Sequence, residues 1–189
     1  MDTKFCVQKV KIRIVNYLKV FMKKFFVNLI TIIIVLVADL VTKHFLSGIE
    51  YQNLIPGVIS IATNHGNTGA AFGILQGKTL ALVIVSIIMI IALFVYNHFV
   101  KNKNVFYCIS FGFIIGGAVG NLIDRIFLRY VRDFIYLDFL PNFPIFNLAD
   151  SFLCIGAVML AIFILFMQNK TKKQEMAVEE KPKNNKDGE

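Results

Sequence analysis

Four apolar runs, each long enough to cross the hydrocarbon core of a bilayer as a helix, constrain this chain most. They lie at about Phe25–Leu46, Thr79–Val100, Val105–Ile123 and Ile145–Met167. The second, "TLALVIVSIIMIIALFVY", carries no charge at all. With 57% of its residues hydrophobic, the chain has too little polar surface for a water-soluble domain. The expected fold is an all-α polytopic membrane protein with four transmembrane helices. The third run, "VFYCISFGFIIGGAVGNLI", spaces Gly112, Gly116 and Gly120 four residues apart, a stripe on which another helix can pack closely. The first run follows a basic stretch, as a signal peptide would. It has no small-residue cleavage site, and Asp39 and Lys43 interrupt its end, so it reads as a retained span.

The net charge of +8 does not point to nucleic acid, because the basic residues flank the spans. They gather before Phe25 (Lys4, Lys9, Lys11, Arg13, Lys19, Lys23, Lys24) and after Met167 (Lys170, Lys172, Lys173, Lys181, Lys183, Lys186). Lys101 and Lys103 add to them in the loop between the second and third spans. The opposite side receives Lys78, Arg125, Arg129 and Arg132. By the positive-inside rule both termini are cytoplasmic, and the basic ends are placed to touch anionic membrane lipid. The chain divides into a basic leader (1–24), a membrane domain (25–167) and a charged tail (168–189) whose composition predicts disorder. Cys6, Cys108 and Cys154 form no close pair, and two of them fall in apolar runs, as small buried thiols do. His44, His65 and His98 lack ligand spacing, so neither a metal nor a cofactor is expected.

This topology puts two longer segments outside. One contains the β-like run "VISIAT"; the other, "DRIFLRYVRDFIYLDFLPNFP", alternates loosely, and together they predict a small β-rich cap. Asp39, Asn67, Asn121, Asp124, Arg125, Asp133, Asn147 and Asp150 all fall in these segments or at the outer ends of spans. Asn121 and Asp124 are three residues apart, as are Asn147 and Asp150, so each pair lines one helix face. Some have plain structural readings. Asp39 and Lys43, at i and i+4, can neutralise one another; Asp124 with Arg125 can form an ion-pairing or substrate-anchoring element; Asn147 can cap the fourth helix. Asp133 and Asp150 have no lysine at helical spacing. Two carboxyls in one partly dehydrated site share a proton, and one can then activate water while the other donates, which is aspartic peptidase chemistry. Intramembrane carboxylates also serve ion pathways, so a small proton or ion-coupled transporter is the alternative. A transporter would spread its carboxylates through the membrane depth.

Five motifs then occur in order: "DLVTK", "NTGAAF", "GGAVGNLIDR", "VRDFI" and "FNLADS". On a four-span profile this set closely resembles bacterial lipoprotein signal peptidase, also called signal peptidase II, over about Phe25 to Met167. The resemblance implies an inner-membrane aspartic endopeptidase with a β-rich extracytoplasmic cradle and an active site on that face; nothing in the sequence demands more than a monomer. Its substrates would be prolipoproteins, cut just before a cysteine already carrying diacylglycerol. Carried over by motif, Asp133 and Asp150 are the catalytic pair. Asn67, Asn121, Asp124, Arg125 and Asn147 match positions around the substrate, and Asp39 with Lys43 matches a supporting pair. Asp124 competes with Asp133 for the first catalytic place. Arg132 stands where the family more often carries an apolar residue, and would lower the pKa of Asp133 if it turned toward it.

Overall fold

The computed structural model describes residues 3–62, 66–69, 74–100 and 103–179. Four long helices carry the apolar runs: α1 (Thr3–Leu46), α2 (Thr79–Phe99), α3 (Val105–Phe127) and α4 (Leu148–Glu179). A helix satisfies every backbone N–H and C=O within itself, which is why apolar chain in lipid takes this form. Three short strands, β1 (Tyr51–Ile55), β2 (Ile59–Ala62) and β3 (Ile135–Leu137), make an antiparallel sheet in that order. The all-α membrane architecture with a small β-rich cap is therefore the observed one.

Helix α3 is the hub. Within its span 61% of residues are buried, against 17% or less for the other three. Its glycine stripe meets α1 one turn at a time. A Cβ on Gly112 would strike Thr31, one on Gly116 would strike Val35, and one on Gly120 would strike Asp39. Gly117 faces the other way, where an added Cβ would stand 2.5 Å from the backbone oxygen of Ala149 on α4. Gly156 returns the contact against Ser110 and Ile114. At the far end Tyr107 and Phe111 pack with Phe163 of α4, and Phe94 of α2 sets its ring edge-on to Phe111. Cys108 is buried as expected. Cys154 is exposed on α4, and both thiols are free.

The Gly117 contact is with backbone, which cannot swing aside as a side chain can. Gly117→Ala should therefore lower stability by about 1–3 kcal/mol, as overpacking does, and reduce activity by displacing the start of α4. Gly48→Ala, with nothing within 4 Å, is the control expected to leave both unchanged. Thermal unfolding in detergent reads the difference.

Two boundaries differ from those predicted. α1 runs unbroken from Thr3, so much of the leader is helical and continuous with the first span. At about 1.5 Å per residue its 44 residues extend roughly twice the hydrocarbon thickness. α4 continues to Glu179, so residues 168–179 are helical and not the disordered tail their polarity predicts. Both extensions lack Gly and Pro, and each prolongs a helix already nucleated in the apolar run. Residues 180–189 lie outside the described residues. α3 also passes Ile123 to Phe127, which brings Asp124 and Arg125 onto the helix.

The sheet is tied to the helix ends by the chain segments that carry the polar residues. A Pro56–Gly57 turn joins β1 to β2; Gly57 has φ 74°, and Val58 N–H donates to the Ile55 carbonyl at 2.9 Å. Ser60 of β2 meets the Asp138 carboxylate at 2.8 Å, fastening the strand to the turn after β3. The extended stretch from Val131 to Ile135 is clamped at both ends. Val131 exchanges backbone hydrogen bonds with Asn67 (2.9 and 3.1 Å), and Ile135 does so with Phe146 (2.8 and 3.1 Å). Asp133 sits midway between the two clamps.

Candidate active site

The polar residues named from sequence come together at one end of the bundle, where α1 and α3 finish, α4 begins and the sheet closes over them. The start of α4 shows how the local sequence builds the site. Asn147 is its cap: Asn147 Oδ1 accepts from Asp150 N–H at 2.9 Å, and Asp150 Oδ2 accepts in return from Asn147 N–H at 3.2 Å. This is a reciprocal capping box with Asn and Asp in the two places. Asp39 reaches across from α1 to accept from Ala149 N–H at 3.0 Å, adding a negative charge at the same helix N-terminus.

A second layer orients the side-chain amides. Lys43, fully buried, lies 2.8 Å from Asp39 and 3.3 Å from Asp124, and donates to Asn121 Oδ1 at 2.9 Å. An ammonium offers only donors, so the oxygen of Asn121 must face it and the NH2 end must face away. That NH2 donates to Asp150 Oδ1 at 2.7 Å. Asn147 Nδ2 donates to Asn121 Oδ1 at 3.0 Å and to Asp133 Oδ1 at 2.7 Å. Asn67 Nδ2 completes the set, donating to Asp133 Oδ2 at 2.9 Å. Each of the two aspartates thus accepts from two neutral N–H donors and pairs with no cation.

Asp124 is held quite differently. It does not pair with Arg125; besides Lys43, its partner is Arg132, whose Nη2 and Nε donate to Oδ1 at 2.7 and 3.2 Å. The Arg132 backbone N–H adds a bond to Oδ2 at 3.1 Å. Successive residues of an extended strand face opposite ways, so Arg132 turns to Asp124 while Asp133 turns to the other side. The cation beside Asp133 in sequence therefore leaves that carboxyl alone. Arg125 donates instead to the Gly69 carbonyl at 3.2 Å, and its buried Nε has no partner among the described residues.

Asp133 and Asp150 line one cavity of about 510 Å³, with Asn67, Asn121 and Arg125. Asp124 is not part of its wall. Apart from Ser151, the remainder of the lining is largely apolar, from Phe143, Ile145 and Phe146 before α4 to Leu153 within it. These apolar residues escape a sequence reading that looks for charge, although "NFPIF" beside the capping Asn is their signal. Asp133 is 2% exposed. Burial, and after it the charge of Asp150, pushes the Asp133 carboxyl up to about 6, against the hydrogen bonds from Asn67 and Asn147 that favour its ionised form.

Residues 31–166 match the family model described as signal peptidase (SPase) II. A lipoprotein signal peptidase of Bacillus velezensis is 38% identical over 144 residues, covering 74% of this chain and 94% of the relative. One of Enterococcus faecalis is 38% identical over 126 residues, 65% of this chain and 75% of the relative. One of Clostridium novyi is 46% identical over 101 residues, 52% and 68% of the two chains. Among solved structures, a bacterial membrane enzyme determined by the in meso method superposes with a TM-score of 0.68 at 35% identity, covering 76% of this chain and 90% of that one. A second matches with a TM-score of 0.65 at 36% identity, covering 73% and 92%. A family match over most of the membrane domain, on the same four-helix frame, means that this chain belongs to the signal peptidase II family and is a multi-pass membrane peptidase.

Proposed function

We propose that the protein cleaves diacylglyceryl-modified prolipoproteins just before the lipidated cysteine, with Asp133 and Asp150 activating one water. The observation that carries this reading is the contrast among the buried carboxylates. Asp39 and Asp124 are ion-paired with Lys43 and Arg132, whereas Asp133 and Asp150 face the cavity, accept hydrogen bonds from amide N–H groups and form no ion pair among the described residues, although Arg125 lines the same cavity. Two such carboxyls hold a single proton between them because two full charges would repel.

The steps follow from that state. The ionised carboxylate, assigned to Asp150, takes a proton from water as the water oxygen bonds to the scissile carbonyl carbon. Asp133, the carboxyl held up by burial, gives its proton to the carbonyl oxygen. When the tetrahedral intermediate collapses, the C–N bond breaks, the proton on Asp150 passes to the departing amine, and one hydroxyl of the intermediate returns its proton to Asp133 as the new carboxyl group forms. Arg125, which lines the cavity, would hold a substrate carbonyl through its guanidinium. Phe143, Ile145, Phe146 and Leu153 would seat the apolar residues before the cleavage site. On this reading the protein lies in the bacterial inner membrane with both termini in the cytoplasm and the cavity on the extracytoplasmic face, an orientation that the basic leader and tail support by the positive-inside rule. The enzyme works as a monomer on this reading, since one chain supplies both aspartates. An ion-coupled transporter is disfavoured by the gathering of its carboxylates at one end of the bundle.

The test is to incubate purified protein with a diacylglyceryl-modified prolipoprotein and with its unlipidated form. Release of signal peptide from the lipidated form alone is the expected result; equal release from both would defeat the substrate assignment.

A pH dependence also follows. Asp133 must carry its proton to act as acid, and rising pH removes it. kcat/KM, which reports the free enzyme, should therefore fall as pH rises through about 6. Asn67→Ala removes a donor that favours the ionised form, so the falling limb should move to higher pH. A shift to lower pH, or none, would contradict the assigned role of Asp133.

A further inference from the structure

The bundle end remote from the aspartates carries a second cavity, of about 590 Å³. α2 begins beside the end of α3, where Thr79 Oγ donates to the Arg129 carbonyl, so the last turn of α2 lies at the opposite membrane face. There α1 and α2 diverge. Lys24, Lys103, Asn97, His98 and Tyr17 supply the polar groups of the opening, and Phe94 is part of its apolar wall. Among the described residues no carboxylate belongs to the lining.

Three features identify what fits. First, Lys24 and Lys103 are both half-buried, whereas Lys19 and Lys23 on the same stretch of α1 are exposed. Burial, and also the nearby charge of Lys24, pushes the Lys103 ammonium below the ordinary lysine range. Two partly desolvated cations without a counter-ion among the described residues call for an anion. Second, the Tyr107 hydroxyl donates to Asn97 Oδ1 at 3.1 Å, which leaves the Asn97 NH2 as a donor. The amide thus adds a neutral donor to the two cations, a set that suits an anionic phosphodiester. Third, Lys24 lies about 28 Å along α1 from Lys43, counting roughly 1.5 Å per residue, which is close to one hydrocarbon thickness. That places the ammonium level with phospholipid headgroups, while Phe94, one turn before Asn97 on α2, lies on the acyl side. A soluble phosphate would make no use of that apolar wall.

We propose that this cavity binds one anionic phospholipid, its phosphate held by Lys24, Lys103 and Asn97 and its acyl chains lying in the cleft between α1 and α2. The lipid then fills the gap beside α2, which packs principally on α3. The site stands apart from the peptidase reading, and its test does not depend on cleavage.

The test is native mass spectrometry of protein released from nanodiscs of phosphatidylglycerol and phosphatidylcholine in equal amounts. The wild-type chain should retain one phosphatidylglycerol in preference to phosphatidylcholine. Lys24→Ala with Lys103→Ala should reduce that preference by at least about tenfold, two lysine contacts being lost. Lys103→Gln, a loop change that spares both helices, should move it the same way by less. Lys19→Ala with Lys23→Ala removes the same charge from exposed positions and should leave the preference intact. Retention unchanged in the first pair, or lost equally in the exposed pair, would overturn the site. Displacement of the lipid by millimolar inorganic phosphate would overturn the lipid in favour of a soluble anion.

Discussion

Asp133→Asn and Asp150→Asn should each lower prolipoprotein cleavage by about 10³-fold or more, within the range of general acid–base catalysis and at its upper end for a pair acting as one unit. Asparagine keeps the volume of aspartate, but it can neither take a proton from water nor donate an O–H. The two variants should remain folded in the membrane, because neither aspartate neutralises a buried cation. The expected cost is local. At residue 133 an amide would turn one NH2 toward Asn67 or Asn147, both donors, and lose one of two hydrogen bonds. At residue 150 the backbone bond from Asn147 or the side-chain bond from Asn121 weakens in the same way. Asp124→Asn is the informative contrast. Its carboxylate lies between Lys43 and Arg132, so the main loss should be in stability. Signal-peptide release and thermal unfolding, measured together on all three variants, separate the two kinds of defect. Near-normal cleavage by either Asp133→Asn or Asp150→Asn would remove the pairing from consideration.

Lys43→Met should be the most destabilising single change in the site, at about 3–5 kcal/mol, the usual cost of breaking a buried ion pair. Lys43 and Asp39 are both fully buried, so removing the ammonium leaves a carboxylate in hydrocarbon with only the Ala149 N–H to meet it. Asn121 is also released. Without the ammonium its oxygen is no longer dictated, and the NH2 aimed at Asp150 can turn away. Activity should therefore fall beyond what the loss of folded protein explains. Asp39→Asn combined with Lys43→Met should recover part of the stability, since Asp124 retains Arg132. A double-mutant cycle on thermal unfolding measures the coupling, and a value near zero would show that the pair is not the anchor described.

The frame was legible because its cause is local. Each apolar run announces its own helix, and Gly112, Gly116 and Gly120 announce a contact face that proves to be the one on α1. The pairs Asn121 with Asp124 and Asn147 with Asp150 were legible for the same reason, since helical periodicity acts over one turn. Asn147 turned out to cap α4 and to orient Asp133 at once, so its structural and functional readings were not alternatives. Sequence spacing could not show that Asp133 approaches Asp150. Their proximity depends on two backbone clamps, Asn67 to Val131 and Ile135 to Phe146, formed by extended segments with weak alternation. The partner of Asp124 was hidden for a similar reason. Arg125 is adjacent to it in sequence but points to Gly69, while Arg132 reaches it from the strand. The helical end of α4 was missed because polarity was read as disorder, although a run without Gly or Pro extends a helix readily; the leader, read only as a basic segment before the first span, is likewise continuous with α1.

Single-turnover cleavage of a diacylglyceryl prolipoprotein in ¹⁸O-labelled water bears most directly on how the two aspartates act. If they activate water without bonding to the substrate, the released signal peptide carries one heavy oxygen at its new carboxyl terminus and neither Asp133 nor Asp150 carries any. An unlabelled peptide, with the label in the side chain of either aspartate, would mean that a carboxylate attacked the peptide bond itself and would contradict the account.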